Sequence, residues 1–365
     1  MALPGASRRV PGRGLRRQGR SGHRHGGVAG HRRTGWRGQG PLRHGPEQRR
    51  RLRPGRHRGI GNGRLRRRYR LQERRWLALT TYKNIILGFD DSKYSRAALA
   101  ETLSWAKAHD SKVTIVHAVF FDSEEFSISP SQLENRLCQG KNACEKAVED
   151  YSPEFGVDIE YLVIQGEPHE VLTEVARERE ADLIAMGTYG RRGLRRMIMG
   201  SITAGVILDS PCDVLVVKKP CEECSGHYRR VLIPYDGSQP SRRAIERVVN
   251  ITNSDETSAT LLYVIPRYEE MVGFFKTDSI ERRIQEEATR IVLEGEQIAA
   301  GKGLNANTMI EKGRAADKIV ESARELGSDL IVLGSHGWHG MDKSILGSTA
   351  ERVIAYSPIP ILIVR

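Results

Sequence analysis

Residues 183–190 read Leu-Ile-Ala-Met-Gly-Thr-Tyr-Gly, and nine residues later Gly200-Ser201 opens a helical pattern. Residues 330–337 read Leu-Ile-Val-Leu-Gly-Ser-His-Gly, and again nine residues separate them from Gly347-Ser348. A short apolar run that ends in glycine suits a strand buried on both faces of a parallel sheet. Glycine lets a backbone come close to a ligand, because no Cβ stands in the way. A helix starting just beyond offers unbonded N–H groups and a partial positive charge, which suit phosphate oxygens. Each copy therefore reads as a phosphate cradle, with Ser201, Thr203, Ser348 and Thr349 adding hydroxyl donors.

Working outward, the whole order of elements recurs. Apolar runs at 84–90, 112–119, 157–164, 181–186 and 213–217 predict five strands, and 230–236, 259–265, 305–310, 329–333 and 359–364 predict five more. Helical spacing follows the first strand, residues 141–151 predict a helix, and Gly166-Glu-Pro168 opens another. Residues 122–140 read as polar and irregular. Asp236 lies 146 residues after Asp90, and Gly313, Gly334 and Gly347 each lie 147 after Gly166, Gly187 and Gly200. Such a period is too long for a solenoid, so each repeat is a domain. The strand–helix alternation predicts two tandem Rossmann-like α/β domains, each a five-stranded parallel sheet with helices on both faces. They span 79–219 and 229–365, joined by a linker over 220–228. In such sheets ligands sit at the carboxyl ends of strands where the strand order reverses. Asp90 and Asp236 end the first strand of each repeat, and the glycines end the fourth. For the two Asp residues the simpler reading is an ordinary helix N-cap.

Charge is divided along the chain. Residues 1–76 hold 24 Arg, no Lys and two acids, for a net +22, whereas the remainder holds 34 basic and 43 acidic residues, for −9. The body therefore gives no sign of general nucleic-acid affinity. Residues 1–78 lack the apolar content to offset ordering entropy, and are expected to be a disordered Arg/Gly-rich tail or sequence upstream of the true start. If the segment is real, it is a candidate polyanion-binding arm. No apolar core follows its basic residues, so it does not read as a signal peptide. No apolar run approaches the roughly 20 residues of a membrane span. Five cysteines in a chain of 365 residues argue against a disulfide framework and for a reducing, cytoplasmic setting.

The cradles are not P-loops, because the Gly-Lys-Ser/Thr ending is missing, and neither fits Gly-x-Gly-x-x-Gly. The pattern they do carry, Gly-x₂-Gly-x₉-Gly-Ser, resembles that of the universal stress proteins of the ATP-binding kind. Asp236-Gly237-Ser238 after the first strand, echoed by Asp90-Asp91-Ser92, is similar to that family too. So is the closing run Gly347-Ser-Thr-Ala-Glu-Arg-Val, followed by Pro358-Ile-Pro-Ile-Leu-Ile-Val. The resemblance covers about residues 82–365 and implies the adenine nucleotide alpha hydrolase-like version of the Rossmann fold.

By that resemblance, adenine and ribose would meet Gly88, Phe89, Asp90 and Ala118 in repeat one, and Pro234, Tyr235, Asp236 and Val264 in repeat two. Phosphates would meet Gly187, Gly190, Gly200, Ser201 and Thr203, and then Gly334, Gly337, Gly347, Ser348 and Thr349. Met186, Ile202 and Leu333 complete the implied contact set. The implied ligand is ATP, AMP or ADP, with or without Mg²⁺. The implied role is a nucleotide-dependent regulator or signalling module in the stress response. An ATP-hydrolysing or adenylating enzyme of the related ATP-pyrophosphatase kind is the alternative, though the Ser-Gly-Gly-x-Asp-Ser loop of that group is missing. No Ser-His-Asp set or carboxylate pair commits a base to activating water, so hydrolysis is expected to be slow at most. The implied partners are the nucleotide and the sister repeat, paired through the last strands, with a homo-oligomer as a further arrangement and no membrane. Arg191, Arg192 and Arg195 could clamp phosphates, or simply line a solvated loop. His336 and His339 lack the companions of a metal site. Cys221-Glu-Glu-Cys224, with His227, reads as a polar linker before a zinc or redox pair, and His117 as a core or ligand-facing residue.

Overall fold

The computed structural model describes residues 81–120, 129–189, 199–221, 226–253, 255–266, 278–335 and 347–365. Both repeats fall in one compact unit. Repeat one runs β1 (Asn84–Gly88), α1 (Lys93–His109), β2 (Lys112–Val119), α2 (Pro130–Phe155), β3 (Ile159–Gln165), α3 (Pro168–Glu178), β4 (Leu183–Gly187), α4 (Ser201–Asp209) and β5 (Asp213–Val217). Repeat two follows with β6 (Arg230–Pro234), α5 (Gln239–Ile251), β7 (Ser258–Ile265), α6 (Asp278–Gly301), β8 (Ala306–Lys312), α7 (Ala315–Glu325), β9 (Leu330–Gly334), α8 (Ser348–Tyr356) and β10 (Ile361–Val364).

The strands form one ten-stranded sheet in the order β3-β2-β1-β4-β5-β10-β9-β6-β7-β8. Within each repeat every described pair is parallel, as expected for strands joined by helical crossovers. The one antiparallel pair joins the repeats: Ile361, Leu362 and Ile363 of β10 face Val216, Leu215 and Val214 of β5. Since residues 361–363 are the counterparts of 214–216 at the 147 offset, the junction is a pseudo-two-fold centred on Leu215 and Leu362. Pairing the last strands leaves neither as a bare edge.

Each face of the sheet has its own core. Leu87, Leu99, Leu103 and Ile115 pack with the α1 and α2 side, and Ile86, Val171, Leu172 and Val206 with the α3 and α4 side. Alternation along β1 explains the division, because neighbouring side chains point to opposite faces. Burying each such side chain contributes about 1.5–3 kcal/mol. Serines cap the first helix of each repeat: Ser92 accepts from the Ser95 N–H, and Ser238 from the Ser241 N–H. Each cap contributes about 1 kcal/mol. Among the described residues no helix is long and apolar enough to cross a membrane.

Two expectations change here. Residues 130–140, read as irregular, are the first turns of α2, whose start carries a capping box made by Ser129 and Gln132. Cys221 is disulfide-bonded, against its reading as part of a plain polar linker, while Cys138, Cys144 and Cys212 are free thiols.

Candidate functional site

The strand order reverses between β1 and β4 in repeat one, and between β6 and β9 in repeat two. The predicted residues collect there. Gly88 pairs with Met186 across the crevice, and Asp90 and Asp236 follow the two first strands, half-buried. Neither aspartate is a helix cap. Each accepts the N–H of the serine two residues on, Ser92 at 3.1 Å and Ser238 at 3.0 Å, and it is those serines that cap the helices. The turn between them needs a left-handed residue: Gly237 has φ 79, and Asp91 holds the same place at φ 63. Asp91 is tied down by Arg96 at 2.5 Å.

The motif glycines do different things. A Cβ on Gly187 would lie 2.7 Å from the Tyr94 carbonyl carbon, and one on Gly334 2.5 Å from that of Pro240. The first glycine of each motif is therefore required where the strand end packs on the first turn of α1 or α5. The last glycine is not placed that way. Gly200 and Gly347 have φ −62 and −60, which any residue adopts. A Cβ on Gly200 would come 3.2 Å from the Thr188 carbonyl oxygen, whereas among the described residues nothing lies within 4 Å of one on Gly347. Gly200 and Gly347 are also the N-cap residues of α4 and α8, and neither supplies a side-chain cap. Among the described residues, therefore, no N-cap side chain bonds a first-turn N–H of α4 or α8.

Side-chain placement refines the rest. Phe89 and Tyr235 point into the core, so only their backbone faces the crevice. Ala118 and Val264 are half-buried at the ends of β2 and β7, and Met186 and Leu333 are buried at the ends of β4 and β9. Ser201, Ser348 and Ile202 are exposed and Thr349 is half-buried. Thr203 is buried and donates to the Gly187 and Thr188 carbonyl oxygens at 3.3 and 3.2 Å. At the 147 offset its counterpart is Ala350, and Thr349 matches Ile202. The two threonines thus do not hold equivalent places. Gly190, Gly337, Arg191, Arg192, Arg195, His336, His339 and Cys224 lie outside the described residues. His117 is buried and sits against Gly140 of α2, a core position. Sequence reading passed over Ser95 and Ser241, which donate to the Ser92 and Ser238 carbonyl oxygens. The recurring Asp-x-Ser-x-x-Ser at 90–95 and 236–241 was the available signal.

The family model described as universal stress protein family matches residues 81–218 and again 227–365. The chain belongs to the universal stress protein family. Individual relatives match over one repeat. A universal stress protein of Methanocaldococcus jannaschii is 35% identical over 148 residues, covering 39% of this chain and 85% of its own. One of Bacillus subtilis is 29% identical over 147 residues, covering 38% and 99%. Among solved structures, a universal stress protein of Archaeoglobus fulgidus covers 79% of this chain and 97% of its own, with TM-score 0.59 and 19% identity. A functionally unknown protein of Pseudomonas aeruginosa covers 80% and 94%, with TM-score 0.53 and 17% identity. These last two likenesses bear on the fold. Both halves of this universal stress protein carry the family's α/β domain, and the two are joined through their last strands.

Proposed function

We propose that this protein binds adenine nucleotide in the crevice of each repeat and acts as a nucleotide-dependent regulator in the stress response. The observation that carries the reading is Gly347. Its dihedral angles demand no glycine, its described surroundings would admit a Cβ, and it starts a helix whose first N–H groups have no side-chain cap. A ligand that must approach the backbone is a reason for glycine there beyond its use as an N-cap, and an anion is what such N–H groups attract. Asp236 sits at the neighbouring strand end, where a ribose hydroxyl could donate to its carboxylate. The same elements recur in repeat one with Asp90, Gly200 and Ser201, so two sites per chain are proposed. Phosphates would lie on the first turns of α4 and α8, with Ser201 and Ser348 as hydroxyl donors. The base would rest against Ala118 or Val264. The arginine-rich insert after Gly190 favours repeat one for a triphosphate. A cytoplasmic setting goes with this reading; the three free thiols support it, and the disulfide at Cys221 pulls the other way.

Calorimetric titration of the full chain with ATP, ADP and AMP tests the reading. Saturable binding to both repeats is expected, with ATP preferred by repeat one. Absence of binding by all three nucleotides would overturn it.

A further inference from the structure

The surfaces that join the two repeats are not chemically alike. Asp213, at the start of β5 in repeat one, is buried and faces Arg247 of α5, also buried, with Nε 2.6 Å from Oδ2. Tyr82 donates its hydroxyl to the same Oδ2 at 2.6 Å, and the backbone N–H of Arg365 donates to Oδ1 at 3.0 Å. The Arg247 guanidinium also lies 5.7 Å from the Tyr82 ring centre. On the other side of the pseudo-two-fold, Glu101 of α1 is buried. It accepts from the Tyr228 hydroxyl at 2.6 Å and from the Cys221 N–H at 2.6 Å. Trp105 lies tilted against Tyr82 and stacked on Tyr228, and all three rings are buried.

The duplication shows what each group would meet if the partners were changed. At the 146 offset of the first helices, Arg247 is the counterpart of Glu101, and Tyr228 that of Tyr82. At the 147 offset of the last strands, the counterpart of Asp213 is Pro360. Two copies of repeat one, docked in the same geometry, would bury Asp213 against Glu101 at both ends. Two copies of repeat two would bury Arg247 against Pro360 with no direct ion pair, leaving only Asp329, the counterpart of Asp182 and already bonded by the Arg229 and Arg230 N–H groups, as a carboxylate in the region. Either arrangement leaves buried charge uncompensated, which costs far more than the pair itself contributes. Only repeat one with repeat two satisfies every group. Burial raises the Glu101 carboxyl above its usual range, against the opposing bonds from Tyr228 and Cys221.

We propose that Asp213, Arg247 and Glu101 form a pairing code that admits only an unlike repeat at this interface. The partner is then the other half of the same chain, or the complementary half of a second copy by exchange, and never a like half. Specificity of this kind comes from penalties against the wrong partner as much as from contacts with the right one.

The intact chain gives the first test. Arg247→Met removes the cation, while Arg247→Glu recreates the repeat-one face opposite Asp213. The thermal midpoint of Arg247→Glu is expected about 10 °C below that of Arg247→Met at neutral pH. That extra loss should vanish near pH 4, where carboxylates protonate. Asp213→Lys combined with Arg247→Glu should recover most of it. If Arg247→Glu is no worse than Arg247→Met, or the swap recovers nothing, the code is overturned. For the second test, a protease site between Lys219 and Tyr228 lets the folded full chain be nicked, under reducing conditions so that the Cys221 disulfide cannot tie the halves together. The two halves are then unfolded and refolded together, and native mass spectrometry counts the pairs. Only unlike pairs are expected from the wild type. Asp213→Leu with Arg247→Met should admit pairs of repeat-two halves as well. Like pairs in the wild type, or none in the apolar variant, would contradict the proposal.

Discussion

Repeat one keeps its sheet paired to the last residue of β1, where Gly88 meets Met186, whereas repeat two parts β6 from β9 after Leu232 and Ile331. The difference has a local cause. Pro234 stands where repeat one has Gly88, and proline has no N–H to give to a ladder. Gly88 in turn leaves room for Leu172, 3.0 Å from where a Cβ would be. The helices beyond the crevices differ as well. The first turn of α4 contains no acid, but that of α8 contains Glu351. Duplication thus kept the parts that fold each domain, namely the serine caps and the glycines packed under α1 and α5. It varied the walls of the crevice. If both crevices hold nucleotide as proposed, two sites of unequal affinity follow, with repeat one the better host for a highly charged phosphate chain.

The largest effect should come from breaking a kept part. Gly334→Ala puts a Cβ 2.5 Å from the Pro240 backbone, which cannot retreat without moving α5. Overpacking of this kind costs about 1–3 kcal/mol, and chemical denaturation should place this substitution at the upper end. Gly347→Ala sharpens the contrast within one motif. It should cost only about 0.5 kcal/mol, for the weaker N-cap, and weaken nucleotide binding in repeat two about tenfold, a loss of roughly 1.4 kcal/mol read by calorimetry. Equal stability losses in the two variants would remove the distinction between a packing glycine and a ligand glycine.

Smaller changes probe the walls. Glu351→Gln removes a negative charge from the turn proposed to hold phosphate. Repeat two should gain affinity by about 0.3–1 kcal/mol, more at low salt, bringing the sites closer together. Smallest is a difference in pH response. His109 ends α1 in repeat one, while its counterpart in repeat two is Asp255. Burial, and then the nearby His227 and Lys83, hold the His109 imidazole below its ordinary value of 6.5, against the bond to the Trp105 carbonyl. A lowered value means that the folded state binds this proton less readily than the unfolded state. Its contribution is present above 6.5 and is lost as the pH falls through the lowered value. His109→Gln should flatten that part of the stability profile, measured by denaturation at a series of pH values.

Much of this was legible in the sequence, for identifiable reasons. The strands at 112–119 and 213–217 were read at the bounds they have, because each is a short apolar run with polar ends. The ten-stranded sheet joined through β5 and β10 follows from the duplication and from the need to cover an edge. The first turns of α2 were missed because they carry no apolar period: in that helix only Gly140, Cys144 and Ala147 are buried. Thr203 and Thr349 were both read as hydroxyl donors, but the 147 offset matches Thr203 to Ala350. The roles of Asp213, Arg247 and Glu101 could not be read from local pattern. Their partners lie across the junction, and each residue alone looks like an ordinary charge on a strand or helix.

The central claim is that both crevices hold adenine nucleotide. Its most direct test is denaturation of the purified full chain and mass spectrometry of whatever small molecule is released, with the stoichiometry per chain. The account predicts ATP, ADP or AMP, rising to two per chain when nucleotide is supplied in excess. Release of no nucleotide, together with none taken up on addition, would contradict it.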